Sequence, residues 1–331
     1  MGLRHFLILL CSLSGLAPAA WALDGSLPEN GPHIALLLPL KSAALRPPAE
    51  AVRQGFAAAA AQDGAPPWRV YATGEDPEDV TAAYGQALAA GARVVVGPLT
   101  RPAVGALVRS GQVSMPTLSL ALPEREGLTL PAELLLFGLS AEEEARQVAD
   151  LAWRDGRRQA LIVVADSPLA QRMQAAFRTR WQALGGSLAG QLRFTPGREA
   201  ALKAAALPAG ADMIFLAASA PEARAVRPYL SPLLPVYATS QAFGGRLQDA
   251  RNVDLGGVRF VDMPWLLQPD HPAVMIYPRP QPALNVELER LYALGLDAQR
   301  LASLMWRGGA HPGLSLDGVT GRLTIGEDQM V

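Results

Sequence analysis

Proton transfer, nucleophilic attack and metal ligation fall mainly to histidine, cysteine, serine and paired carboxylates. Of the four histidines, the three beyond the N-terminal segment each adjoin a proline: Pro32-His33, His271-Pro272 and His311-Pro312. Proline adjacency predicts solvated loops, and none of the three has a second ligand at metal spacing on a helix, so no metal site is expected. The single cysteine, Cys11, lies in an N-terminal apolar run. Gly185-Gly186-Ser187-Leu188-Ala189 lacks the final glycine of a nucleophile elbow and stands where a helix enters a strand, the reverse of the order that motif requires. Carboxylates gather at Glu142 to Glu144 and at Glu75-Asp76 with Glu78-Asp79, helix starts where acids complement the macrodipole. Pro39-Leu40-Lys41-Ser42-Ala43 follows the first apolar strand, where a dinucleotide fingerprint would place glycines, and no glycine-rich phosphate loop occurs. The pattern predicts a protein without catalysis, cofactor or metal.

Binding is better served. From His33 onward short apolar runs alternate with longer amphipathic ones, the pattern of a largely parallel sheet with crossover helices. Ile34 to Leu40 is apolar on both faces and reads as a central strand, followed by strands over Trp68 to Thr73 and Ala92 to Val96 and helices over Ala49 to Gln62 and Pro77 to Ala90. Ser140-Ala141-Glu142-Glu143 reads as a capping box, the serine accepting from the third helical amide and Glu143 reaching back. Beyond it the alternation restarts, with strands at Ala160 to Ala165, Leu188 to Phe194 and Met213 to Ala218. A restarted series predicts a second lobe. The expected fold class is α/β, two lobes, each a mostly parallel sheet flanked by helices. Pro282 to Arg307 holds a long helix, Leu314 to Ile325 reads as a hairpin, and proline-rich Gln268 to Pro282 reads as a loop.

Such lobes bind at the carboxyl ends of their strands, where helix N-termini and loop hydroxyls converge. The cleft candidates are Lys41, Ser42, Thr100, Arg101 and Ser119 in the first lobe, and Ser140, Asp166, Ser167, Ser240 and Gln241 in the second. Each also has a capping or turn role open to it.

Charge and the N-terminus bound the partners. The 331 residues are half hydrophobic, enough for two lobes whose core needs no disulfide. With 29 basic and 30 acidic side chains, and only two lysines, Lys41 and Lys203, the chain has a net charge of -1 and no block suited to nucleic acid. Arg4 and His5 precede an apolar run from Phe6 to Ala17, too short to span a bilayer, and Ala20-Trp21-Ala22 is a small-residue cleavage pattern. Residues 1–22 are therefore expected to be a signal peptide, leaving a cysteine-free periplasmic chain from Leu23. Leu9-Leu10 ahead of Cys11 disfavours outer-membrane lipid anchoring.

Several segments occur in a telling order: Ile34-Ala-Leu-Leu-Leu-Pro-Leu40 with Ala51-Val52-Arg53-Gln54-Gly55-Phe56, Val94-Val-Val-Gly-Pro-Leu99, Pro116-Thr117-Leu118, and Phe137-Gly-Leu-Ser140 with Glu142 and Glu144. Gly256-Gly257-Val258 through Asp262-Met263-Pro264-Trp265, Arg290-Leu-Tyr-Ala-Leu-Gly-Leu-Asp-Ala298 and Gly318-x-x-Gly321 follow. Together they resemble the penicillin-binding protein activators. The resemblance implies a type I periplasmic-binding-protein-like fold with three interlobe crossings, placed near Leu139, Leu255 and Gly308. Lobe one would then be 31–138 plus 256–308, and lobe two 139–255 plus 309–331. It also implies a noncatalytic role, docking on a bifunctional penicillin-binding protein, a peptidoglycan synthase, and stimulating its peptide cross-linking.

The competing expectation is a periplasmic solute-binding receptor of an ABC transporter, closing on an amino acid or similar small polar ligand. Thr100 and Ser119 would hold the carboxylate and Asp166 the ammonium, although Asp166-Ser-Pro-Leu-Ala170 lacks the tyrosine such receptors usually place there. For the synthase reading, Trp265, Tyr277 and Arg279 beside the proline-rich loop are the interface candidates, since aromatics and arginines anchor interfaces.

Overall fold

The computed structural model describes residues 30–62, 64–124, 127–204, 210–245 and 250–331; the expected signal peptide and Cys11 lie outside them. The first half alternates β1 (His33–Leu38), α1 (Arg46–Ala60), β2 (Trp68–Ala72), α2 (Pro77–Ala89), β3 (Ala92–Val96), α3 (Arg101–Arg109), β4 (Thr117–Ser119) and β5 (Leu134–Leu136). All pairings in its sheet are parallel, in the order β2-β1-β3-β4-β5. Every residue of β1 is buried because both faces are covered. Ile34, Leu36 and Leu38 pack with Val52 and Phe56 of α1, while Ala35 and Leu37 pack with Tyr84 of α2 and Leu107 of α3. The two-residue side-chain period of a strand thus serves two helical layers at once.

The second series runs α4 (Ala141–Arg154), β6 (Gln159–Ala165), α5 (Pro168–Ala183), β7 (Ser187–Phe194), α6 (Ala201–Ala204), β8 (Met213–Ala217), α7 (Ala220–Val226), β9 (Val236–Ala238) and β10 (Val258–Phe260). Its sheet is also parallel, ordered β10-β9-β8-β6-β7, around a separate core in which Phe177 and Phe215 stack at 4.0 Å. Short helices α8 (Pro264–Leu267) and α9 (Pro272–Met275), the long α10 (Val286–Trp306) and an antiparallel hairpin of β11 (Ser315–Asp317) and β12 (Arg322–Thr324) complete the chain.

The lobe boundaries differ from the sequence expectation. Val258–Phe260 was assigned to the first lobe but pairs with β9 as an edge strand of the second, so the chain leaves that lobe at Val261–Met263, not near Leu255. Residues 309–331 were assigned to the second lobe, yet Leu316 and Leu323 join the first lobe's core. Buried Asp297 of α10 fixes the hairpin, accepting from the Val319 N–H at 3.1 Å, the Thr320 N–H at 2.8 Å and the Thr320 hydroxyl at 2.7 Å. Past it, Leu136 N–H donates to the Gln329 carbonyl at 2.8 Å and Val331 N–H to the Leu136 carbonyl at 3.0 Å, extending the exposed edge of β5. Among the described residues the chain passes between the lobes at 137–140 and again at 261–263; with 309–331 packed on the first lobe, no passage falls at Gly308, and residues 320–324 border the cleft from the first lobe.

Helices α1 and α10 meet through two glycines. A Cβ on Gly55 would run into the backbone carbonyl of Tyr292, and one on Gly295 into that of Val52. Burial also corrects two local readings. His33 is no loop histidine: it opens β1 fully buried, with Nδ1 2.7 Å from the Gly31 carbonyl and Nε2 2.8 Å from the Tyr71 hydroxyl, and burial lowers its pKa. The proline-rich stretch contains α9, capped by His271, which accepts the Ala273 N–H at 3.2 Å.

Candidate functional site

Seven residues after β5 begins, the chain has crossed the hinge and started α4, so the first turn of α4 faces the start of α3. Thr100 adopts the extended backbone of an N-cap and makes Arg101 the first residue of α3. Arg101 Nη2 reaches across the lobes to both oxygens of Glu142, at 3.2 and 3.1 Å. From α5, Arg172 Nε donates to Glu142 Oε1 at 2.9 Å, and the Ser140 hydroxyl donates to Oε2 at 3.1 Å. Ser140 also accepts the Glu143 N–H at 3.3 Å, half of the expected capping box; the Glu143 carboxylate turns to Arg146 instead of reaching back. Burial acts to raise the Glu142 pKa, but hydrogen bonds from its own amide and from Arg101 outweigh it and hold the carboxyl low. Two guanidinium groups around one carboxylate make an anion-recognition geometry. Here the anion belongs to the chain.

A second polar cluster closes the hinge. Arg290 of α10 donates to Asp262 Oδ2 at 2.7 Å and to the Ser240 carbonyl at 3.2 Å, while Ser240 N–H donates to Glu144 Oε2 at 2.9 Å. Burial raises the Glu144 pKa, partly offset by the Ser240 hydrogen bonds, and the Asp262 charge adds to the rise. A cavity of about 660 Å³ lies beside this cluster, bordered by Glu143, Glu144, Asp262, Thr320 and Arg322. A smaller space of about 280 Å³ adjoins it at Arg101, Ser140, Glu142 and Arg146, and another of about 250 Å³ includes Thr100, Arg101 and Leu139.

The structure thus brings Thr100, Arg101 and Ser140 together and disperses the rest. Ser42 is buried and donates to Glu75, and Ser119 is buried with its hydroxyl 3.0 Å from the Ala121 carbonyl. Lys41 is exposed. Asp166 lies half-exposed 3.8 Å from Arg193, and Ser167 caps α5 by accepting the Ala170 N–H at 3.2 Å. Ser240 belongs to the hinge cluster, and Gln241 N–H donates to the Thr239 hydroxyl at 3.4 Å. Of the interface candidates, Trp265 on α8 and Tyr277 just past α9 are buried against Tyr292 and Leu296 of α10, so neither offers a surface. Arg279 is partly exposed and lies over Trp265 at 3.9 Å.

Residue-type reasoning missed Glu142, Glu144, Arg172, Asp262 and Arg290 as site residues. Their acids at the start of α4 satisfied the macrodipole argument and gave no further signal, although the segments that carry the family resemblance contain all but Arg172.

A family model described as "LppC putative lipoprotein" matches residues 28–200 and 202–331. Penicillin-binding protein activator LpoA from Edwardsiella piscicida is 29% identical over 306 residues, covering 80% of this chain and 43% of that protein. The LpoA of Histophilus somni is 30% identical over 249 residues, covering 73% and 42%. The chain therefore spans less than half the length of these relatives. Among solved structures, the LpoA C-domain from Haemophilus influenzae, described as a regulator of PBP1A, superposes with a TM-score of 0.74 at 26% identity, covering 90% of this chain and 94% of that one. A structure described as a putative branched-chain amino acid ABC transporter from Chromobacterium violaceum gives a TM-score of 0.77 at 40% identity, covering 91% and 97%. The architecture is the type I periplasmic-binding-protein-like fold, and the chain belongs to the LppC putative lipoprotein family.

Proposed function

We propose that this chain is a noncatalytic periplasmic regulator that binds a bifunctional penicillin-binding protein and stimulates its peptide cross-linking. The observation that carries the reading is the Arg101–Glu142–Arg172 cluster. Glu142, 3.1 Å from Arg101 and 2.9 Å from Arg172, occupies the two cleft guanidinium groups, so neither is left open for a ligand carboxylate. The names of the LpoA relatives and the LpoA C-domain structure support a regulator of a synthase. Regulation would work by differential affinity: a partner bound more tightly in one conformation is shifted toward it.

The 40%-identical structure described as a putative branched-chain amino acid ABC transporter favours a second reading, a receptor for a small polar ligand. One pair of measurements separates the two. The regulator reading expects the purified chain to bind immobilised synthase from its own organism and expects no amino acid to raise its thermal midpoint. Saturable stabilisation by an amino acid, without synthase binding, would establish the receptor instead.

Export to the envelope accompanies either reading and is supported by the family's description as lipoprotein. Mass spectrometry of the mature N-terminus distinguishes a free Leu23 from an acylated Cys11, and the sequence favours Leu23.

A further inference from the structure

The near-neutral total charge conceals a basic face on the second lobe. Residues 145–198, from α4 through β7, contain nine arginines and three aspartates, in a chain whose total is 29 basic and 30 acidic side chains. The glutamates immediately before them belong to the hinge end of α4, where Glu142, Glu143 and Glu144 border the cleft cavities. Three arginines gather at the other end of α4. Arg180 pairs with Asp150 at 2.8 Å, Arg154 Nε donates to the Asp150 carbonyl at 3.3 Å, and Arg158 donates to the Trp153 carbonyl at 3.0 Å with its guanidinium 3.6 Å over the Trp153 ring. Alongside, Arg178 donates to Gln191 of β7 at 2.7 Å and Arg193 follows on the same edge strand.

Arg146 and Arg172 belong to the hinge end, paired with Glu143 and Glu142, and the Asp212 carboxylate accepts the Arg158 and Gln159 backbone N–H groups at 2.7 and 3.1 Å; the excess of positive charge lies with the outer arginines. The three aspartates pair with Arg180, with Arg259 of β10 and, at 3.8 Å, with Arg193. Arg154, Arg158 and Arg178 rest on neutral acceptors. Helix C-termini attract one or two cations, whereas Arg154 and Arg158 at or just past the end of α4, Arg178 and Arg180 on α5 and Arg193 on β7 extend over neighbouring elements. Arginine is the cation suited to forked recognition of carboxylates. A membrane-binding face would add exposed apolar side chains for insertion. The large exposed hydrophobic residues among the described ones, such as Leu233, Val253, Met275 and Ile276, all lie outside this segment.

We infer that the α4–α5–β7 face is a docking surface for an acidic protein surface, the carboxylate-bearing face of the synthase, an inference that rests on the regulatory function proposed above. Surface charge of this kind steers encounter and selects partners.

The test compares the full mature chain with Arg154→Glu/Arg158→Glu, a neutral pair Arg154→Gln/Arg158→Gln, and a first-lobe control, Arg109→Glu. Each is measured by surface plasmon resonance against purified bifunctional synthase at low and physiological salt. Wild-type affinity should fall as salt rises, the reversed pair should bind about tenfold more weakly, and the control should stay within about twofold. If the reversed pair unfolds, the neutral pair carries the comparison, with a loss of about threefold expected. Equal affinity of wild type and folded second-lobe variants would overturn the docking surface while leaving the regulator reading intact, since binding itself would have been seen. No wild-type binding would overturn both. Arginine-dependent binding to phosphatidylglycerol vesicles without synthase binding would assign the face to lipid headgroups and overturn the proposal.

Discussion

Arg290 and Asp262 form an ion pair at 2.7 Å with side-chain exposures of only 4% and 1%, joining the long helix of the first lobe to the segment that leaves the second. The same guanidinium holds the Ser240 carbonyl, so one buried cation ties three parts of the hinge together.

Removing one partner should therefore be costly. Asp262→Ala leaves the buried Arg290 with only the largely exposed Glu287, 3.0 Å away, as an ion-pair partner, an expected loss of about 2–4 kcal/mol in urea unfolding. Replacing both, with Asp262→Ala and Arg290→Met, should recover part of that loss because no buried charge is stranded. A single-variant cost under about 1 kcal/mol would show the pair to be dispensable.

The seam between α1 and α10 gives a steric prediction. Gly55→Ala or Gly295→Ala pushes a methyl group into a facing backbone carbonyl, and each should cost about 1–3 kcal/mol. Gly85→Ala is the internal control: it lies in α2 with nothing within 4 Å of the added Cβ, and should stabilise by about 0.5–1 kcal/mol. Destabilisation by all three would mean that backbone geometry, not helix contact, sets the requirement.

Two neighbouring glutamates should respond oppositely to pH. Burial raises Glu144 above the usual glutamate value, against the Ser240 hydrogen bonds and the Arg290 charge, with Asp262 adding to the rise. The folded state then binds its proton more tightly than the unfolded state, so stability present in acid is lost as pH rises through that raised value. Glu142 is held low, and the stability it contributes above the unfolded value is lost as pH falls through its folded value. In urea titrations from about pH 4 to about pH 8, Glu144→Gln should become more stable than wild type toward neutrality and Glu142→Gln less stable. Shifts of the same sign would contradict these environments.

Periodicity made the fold legible. Ala92–Val96 is a strand over the residues that its apolar run marked, and the restart after Ser140 marked the second lobe. Lobe membership at Val258–Phe260 was not legible, because a three-residue edge strand declares itself only through its partner β9. Trp265 and Tyr277 sit in a proline-rich neighbourhood that suggested exposure, whereas their burial depends on contact with distant α10. Arg101 was readable as a cleft residue from its place at a strand end, but its partner Glu142 satisfied helix-start rules and hid its second role across the cleft. Net charge misled in the same way: the chain total of -1 says nothing of where Arg154, Arg158 and Arg178 gather.

The most direct measurement of the central claim is peptide cross-linking by a purified bifunctional synthase, quantified from digested product with and without the full mature chain. Stoichiometric addition should raise the cross-linked fraction while the chain alone yields no product. An unchanged cross-linked fraction, at concentrations where the synthase is shown to be active, would contradict the regulator reading.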